Sequence, residues 1–438
     1  LLIPAQFPEQ LISIGAFAFA NCLIRIKNII LPPTLTKIGN NPFKMAAIEE
    51  ITMNENGTFI QTNQSVIYSC TGTEKKVVGF AIYSPLTSIE ILEGTTRIGI
   101  DAFYNAISLQ TITFPKSLIS IDAEAFESAL SLQKVVLPNQ LKTIGGYAFK
   151  FCLNLNGIVE IPSTVNSIGV CAFCCTGIER FWVHPSNPFF FASSGCLYSR
   201  QFTLIQYPNG FKNLTDFEIP DGTMKVGHSS FKHNDHIVSI QFSDTISEIE
   251  DEAFMSMPNL QRIVLNDNLK VIGALAFSSL LKLEEITFPA SLTHLNNMAF
   301  SMTPLHSIVF NDCNLVQADS DVFDLSKISC IKIPFTCNET ITWSIFPPEL
   351  INTPDCFDTI LPTPTTASDS TTASLNFAMY IFIGIMILFC VTIIVVVSFM
   401  QYRKRAKVMK DPNILESYVI PNSAPIDYYT TTKNHERK

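Results

Sequence analysis

The chain has 438 residues, 47% of them hydrophobic and 15% charged, with a formal net charge of −9, so there is ample material for a core. The charge is uneven: residues 401–438 hold eight Lys/Arg against four Asp/Glu, which leaves 21 basic against 34 acidic residues of the totals 29 and 38, or −13, before them. An acidic balance of that size argues against nucleic acid or polyanionic glycans as ligands.

At the amino terminus, Pro8, Leu11 and Ile14 already belong to a unit begun upstream, and neither an initiating Met nor a signal peptide is present. The sequence is therefore expected to be a fragment or a mature chain from which earlier units are missing. From there the same phrase recurs. "IGAFAF" ends at Phe19, "IGIDAF" at Phe103, "ISIDAEAF" at Phe126, "IGGYAF" at Phe149, "SIGVCAF" at Phe173, "EIEDEAF" at Phe254, "VIGALAF" at Phe277 and "LNNMAF" at Phe300. Weaker copies end at Phe43, Phe231 and Phe323, making eleven anchors spaced by 23 or 24 residues with two long intervals of 60 and 58. A fixed short period is the signature of a repeat array in which each unit buries its apolar face against its neighbours.

Aligned on the Phe, the template is Pro-x2-Leu-x2-Ile-Gly-x2-Ala-Phe-x5-Leu-x2-Ile-x-(Leu/Phe). The last part alternates, as in Leu283, Ile286 and Phe288, and predicts a short strand that the next Pro ends for want of an N–H. The Gly after Ile gives way to Asp122, Asn296 and Asp319, residues that tolerate positive φ, so a tight turn is expected there, although Glu250 breaks the rule. The Ala-Phe pair reads as a plug, the ring filling the coil and the small residue allowing close approach. Both long intervals carry strand, polar turn and apolar strand, with Tyr68 and Tyr198 each 25 residues after an anchor, and predict a β-hairpin interrupting the coil.

The Pro, Ile-Gly and Ala-Phe positions and the Tyr-Ser insertions resemble the treponemal-type leucine-rich repeats of bacterial surface protein A (BspA)-like proteins, over about residues 1–335. That resemblance implies an α/β-type repeat solenoid, surface display, and adhesion to host cells, matrix proteins or other microbes. Membrane-anchored versions look like the large surface families of trichomonad-type parasites. The domain reading is a solenoid over 1–335 with hairpin insertions at about 57–85 and 188–210, then a Cys-containing cap at 336–358. A Thr/Ser/Pro-rich stalk follows at 359–376, then a transmembrane helix at 377–400 and a cytoplasmic tail at 401–438.

The membrane reading rests on 24 uncharged residues, Phe377 to Met400, followed at once by Arg403, Lys404, Arg405, Lys407 and Lys410. The basic flank puts the tail in the cytoplasm and the repeats outside. Sequons at Asn56, Asn63, Asn213 and Asn338 all fall on the outer side. Cys313, Cys330, Cys337 and Cys356 cluster where the repeat fades and suit a disulfide-stapled cap with three possible pairings, whereas Cys22 and Cys152 suit buried structural thiols. In the tail, Asp411 to Leu415 loosely resembles an acidic dileucine-type sorting signal, beside Tyr418, Tyr428 and Tyr429.

Chemistry is sparsely signalled. There is no Gly-rich phosphate loop, nucleophile elbow, paired-Cys zinc ribbon or HExxH sequence, so no enzyme and no cofactor are expected. His228, His233 and His236 with Asp235 form the densest metal-like group, and surface-loop residues are the simpler reading because nothing completes four ligands. Ligand binding is instead expected on the outward strand positions: Gln110, Thr111, Thr113, Gln133, Lys134, Gln241, Gln261, Arg262, Glu284, Glu285 and Thr287, with Val136, Val238, Ser239 and Val264 in the same rows. The partners expected are host-cell, matrix or microbial surface proteins or glycans, and the competing reading is a structural or antigenic coat without a ligand.

Overall fold

The computed structural model describes residues 5–22, 24–53, 57–312, 317–319, 321–334, 346 and 348–352. The chain divides into two units, Leu1–Ile360 and Leu361–Lys438, and every described residue lies in the first. Residues 377–400 are therefore outside the described set, within which no helix is long and apolar enough to cross a membrane.

Each coil contributes two short parallel strands. The first is the Leu-x2-Ile segment, in which Ile112 and Ile240 are buried between outward neighbours in Thr111–Thr113 and Ser239–Gln241. The second, which the spacing did not reveal, is the two-residue stretch before the Gly. Ser120–Ile121 pairs in parallel with Thr143–Ile144, and that with Ser167–Ile168, so Ile stacks on Ile inside and Ser or Thr on its outer side. Between the strands, Pro opens a turn closed by the Leu three residues on, as in Leu118 N–H to Pro115 O at 3.2 Å. The hydroxyl before that Leu ties the coil to its predecessor, as Ser117 Oγ donates to Thr95 O at 2.9 Å.

The expected positive-φ turn at Ile-Gly is not what the glycine does. Gly145 and Gly169 are not in the left-handed region. A Cβ on Gly145 would stand 2.3 Å from Ala123 N, and one on Gly169 2.3 Å from Gly146 N. These glycines let backbones of successive coils touch. Positive φ falls instead two residues before and two after the anchor ring, at Glu124 and Ser128 around Phe126 and at Tyr147 and Phe151 around Phe149.

That placement also overturns the α/β-type expectation. Among the described residues there is no α-helix, only the 3-10 turns Leu325–Lys327 and Pro348–Leu350. A left-handed residue every fourth position breaks any helical run. The backbone around the rings pairs otherwise: the Phe103, Phe126 and Phe149 amides donate to Ala125, Ala148 and Ala172 of the next coil at 2.7, 2.8 and 2.8 Å. The small Ala of each Ala-Phe pair thus offers the carbonyl that receives the preceding ring's amide. The fold is a β-solenoid with almost no helix.

The rings stack along the axis. Phe103, Phe126, Phe149 and Phe173 have centroids 5.0, 5.1 and 5.4 Å apart and planes within 3°. Phe231, Phe254, Phe277, Phe300 and Phe323 repeat the arrangement, and Phe19 with Phe43 starts it. Three more rings join these stacks: Phe80 onto Phe103, Tyr207 onto Phe231 and Phe346 onto Phe323. With the eleven Phe anchors they make about 14 coils.

The two long intervals therefore each hold a coil plus extra chain. Residues Ile60–Asn63, Val66–Thr71 and Glu74–Phe80 form an antiparallel three-stranded meander, as do Phe190–Ser193, Cys196–Ser199 and Thr203–Gln206. The last strand of each joins the next coil in parallel, at Thr95–Ile98 and Lys225–Val226. The hydrophobic core divides at the same places into three clusters, which run from Ile14 to Ala81, Val66 to Leu197 and Cys196 to Phe346.

Candidate functional site

The Leu-x2-Ile strands form the face on which binding was expected. Gln110, Thr111, Thr113, Gln133, Lys134, Gln241, Gln261, Arg262, Glu284, Glu285 and Thr287 are all exposed, as are Val136 and Val264, while Val238 and Ser239 are half-buried. The residues fall into two groups. Gln110 and Gln133 are neighbours, the Gln133 amide donating to Gln110 O at 2.9 Å, and Lys134 bridges to Thr111. Beyond the second meander, Gln261, Arg262, Glu284, Glu285 and Thr287 line one depression of about 600 Å³, joined by Lys282. There the strands Arg262–Val264 and Glu285–Phe288 belong to separate sheets, which leaves room for the depression between them.

The face is interrupted wherever a meander enters. Among the described residues its strands form five sheets of three, two, two, three and three strands, so the face also breaks between Thr111–Thr113 and Asn156–Ile161 and between Arg262–Val264 and Glu285–Phe288, where no meander enters. Glu160, Glu179, Arg180 and Trp182, which the outward rows omitted, border a cleft of about 940 Å³ between the strands Gly177–Val183 and Asp216–Glu218. A usable signal was present in the spacing: Ile178, Phe181 and Val183 are buried at the Leu-x2-Ile-x-Leu positions, which puts Glu179, Arg180 and Trp182 outward by the same rule.

The histidines do not converge. His228 sits 3.9 Å from Glu252, His233 packs its ring 6.0 Å from that of Phe151, and His236 lies 3.4 Å from Asp235. Burial, with Lys232 and Lys150 nearby, holds the His233 imidazole below its ordinary pKa. The described residues contain no group of three or more His, Cys, Asp or Glu able to hold a metal ion.

Cys152 is fully buried and free, and Cys22 is free and half-buried; burial pushes the Cys152 thiol up, which leaves it a weak nucleophile. Cys171 and Cys174 form a disulfide that packs with Cys175 against Tyr147 and Phe151. Cys330 is disulfide-bonded, and Cys313, Cys337 and Cys356 lie outside the described residues. Asn213 is exposed in a turn, whereas Asn63 is half-buried in a paired strand; Asn56 and Asn338 are outside the described residues.

A coil of about 23 residues, parallel strands on two sides and a buried ring per turn define a leucine-rich repeat solenoid. The chain belongs to the family described as BspA type leucine-rich repeat regions, whose model matches residues 2–78, 77–194 and 207–329. No curated protein matches its sequence significantly. Among solved structures it is similar to a leucine-rich cell surface protein from Faecalibacterium prausnitzii, at 19% identity and a TM-score of 0.54, over 77% of this chain and 89% of that one. It is also similar to the pneumococcal vaccine antigen PcpA, at 21% identity and a TM-score of 0.48, over 75% of this chain and 77% of that one. The first of these likenesses supports the fold.

Proposed function

We propose that this protein is a cell-surface, single-pass type I membrane protein whose extracellular repeats bind protein or glycan ligands in adhesion or host and microbe recognition. The observation that carries the reading is the contrast along the strand face. Buried positions repeat from coil to coil, while the exposed ones change charge and size and line depressions such as that of Arg262 and Glu284. The uncharged stretch Phe377 to Met400, with the basic cluster after it, supports a membrane anchor of the kind seen in trichomonad-type surface families. Repeats outside, a Thr/Ser/Pro-rich stalk and a short tail follow from that orientation.

The test is saturable binding of the purified chain to host cells and matrix proteins. Changing Gln133, Lys134, Arg262 and Glu284 together should reduce it, and unchanged binding would remove this face from the proposal. Antibody labelling of intact cells should reach the repeats; labelling only after permeabilisation would overturn the topology. Failure to recover any reproducible partner would favour a coat protein with no ligand.

A further inference from the structure

The cleft between Gly177–Val183 and Asp216–Glu218 is bounded by a bare sheet edge. Asp216–Glu218 is the outermost strand of its sheet and pairs on one side only, with Ser239–Gln241. On that side, Thr215 O accepts from Val238 and Ser239, and Ile219 N–H donates to Gln241 O at 2.9 Å. Backbone groups alternate sides along a strand, so those of Asp216 and Glu218 are turned to the cleft. The opposite wall is partly covered: Phe181 N–H donates to Gly195 O at 2.8 Å, and Gly210 N–H to Ile178 O at 2.7 Å.

The first meander opens a similar gap and closes it. There, Gln64 at the meander's tip reaches across so that its side-chain carbonyl accepts the Glu90 amide at 3.1 Å, and the cavity is about 510 Å³. Glu90 ends the strand Ser88–Glu90 as Glu218 ends Asp216–Glu218. At the second meander the tip residue is Ser194, too short to span the gap, and the cleft is about 940 Å³. That is near the upper end of the range for ligand pockets, about 300–1,000 Å³.

The walls state what would fit. Glu160, Glu179, Asp216 and Glu218 line the cleft with Arg180; Asp216 is paired with Arg262 at 3.3 Å, and among the described residues Glu160, Glu179 and Glu218 have no salt-bridge partner. Trp182, paired in register with Glu160, is 44% exposed, a large apolar side chain of the kind that anchors interfaces.

We propose that this cleft binds an extended, basic peptide segment of a partner protein, which adds as a strand to the Asp216–Glu218 edge, sets lysine or arginine against the acidic wall and packs an apolar side chain on Trp182. The proposal deepens the ligand-binding reading above and shares its premise that the repeats engage a partner, but it rests on the cleft rather than on the strand-face rows, which meet it where Arg262 pairs with Asp216.

The probe is a capped heptapeptide alternating lysine and valine, titrated calorimetrically into the full chain in detergent, beside the same peptide N-methylated at alternate residues. N-methylation keeps the charge and removes the donors and acceptor geometry of a strand. The expected result is binding of the first peptide and loss of the second. Trp182→Ala with Glu160→Lys should weaken binding at least ~10-fold. Ser194→Gln, which copies the Gln64 cap, should weaken it comparably, and Lys116→Ala with Lys142→Ala, exposed and outside both binding faces, should leave it unchanged. Equal binding of both peptides, no binding by either, or a glycan that binds through Trp182 where the peptide does not, would each overturn the proposal. Cell binding lost in the strand-face variant but intact in the Trp182 variant would sink this inference and spare the broader reading.

Discussion

Phe149→Ala tests the stacked spine directly. The ring is fully buried and stacked on Phe126 at 5.1 Å and on Phe173 at 5.4 Å, with planes within 3°. Removing a buried Phe costs ~3–5 kcal/mol through lost transfer energy and the cavity left behind. Here two ring pairs go at once, each contributing roughly 0.5–1.5 kcal/mol beyond area, so the upper half of that range is expected. Phe149→Leu separates the parts: it keeps most of the volume but loses both ring contacts, and should cost about 1–3 kcal/mol. Urea denaturation followed by circular dichroism gives both values, and limited proteolysis shows whether cleavage concentrates near the mutated coil, as nearest-neighbour stability requires. The reasoning fails if Phe149→Ala shifts the midpoint no more than a surface change such as Lys134→Ala.

Four further outcomes follow from the same geometry. Gly145→Ala puts a Cβ 2.3 Å from a neighbouring backbone nitrogen and should destabilise by at least ~1–3 kcal/mol, whereas the adjacent Gly146→Ala, 3.3 Å from Val170 O, should be far milder; thermal melts of the pair decide. Tyr207 Oη is buried without a hydrogen-bond partner at a ring position that is otherwise Phe, so Tyr207→Phe should raise stability by about 1 kcal/mol in the same assay. Burial raises the Asp101 carboxyl to about 6 despite its 2.6 Å contact with Lys44. The unfolded chain gives up that proton near pH 4, so the folded state binds more protons between about pH 4 and 6 and stability falls as pH rises through that window. The loss has a ceiling of about 3 kcal/mol, and Asp101→Asn should flatten the profile. Asn213, exposed in a turn, should carry a glycan when the chain is made in a secretory host, and half-buried Asn63 should not; mass spectrometry after N-glycosidase reads both.

The coil was legible because one ring and one Leu-x2-Ile segment recur at a fixed interval, and the structure buries them where the spacing puts them. The second strand was not, since Ser120–Ile121 is too short to show a period. Ile-Gly invited the wrong turn because glycine answers two needs, positive φ and close approach, and composition alone does not separate them. Phe80 and Tyr207 escaped because their coils lack the Pro and Ile-Gly marks and follow the previous anchor by 37 and 34 residues. Trp182 sits at a position the spacing rule itself marks as outward, but its strand carries Phe181 where the template has Ile, which hides the match.

Two of those misses, Trp182 and Tyr207, flank the second meander, and one cause connects them. A solenoid satisfies its backbone by passing each hydrogen bond to the next coil, so an inserted meander must satisfy its own strands and then re-enter the ladder. It re-enters on the side of the short strands, where Thr203–Gln206 pairs with Lys225–Val226, and leaves the opposite face open. The ring stack and the core change partners at the same place, and Tyr207 Oη, Asn209 Oδ1 and Ser230 Oγ are buried there without hydrogen-bond partners among the described residues. Within a three-stranded sheet such as that of Asp216–Glu218, Ser239–Gln241 and Arg262–Val264, a change on the central strand alters only charge and size against paired backbone. At the seam it also meets unpaired backbone and a cleft of about 940 Å³, larger than the depression of about 600 Å³ between Arg262–Val264 and Glu285–Phe288, which makes the second meander a point where a few substitutions would change what the chain binds.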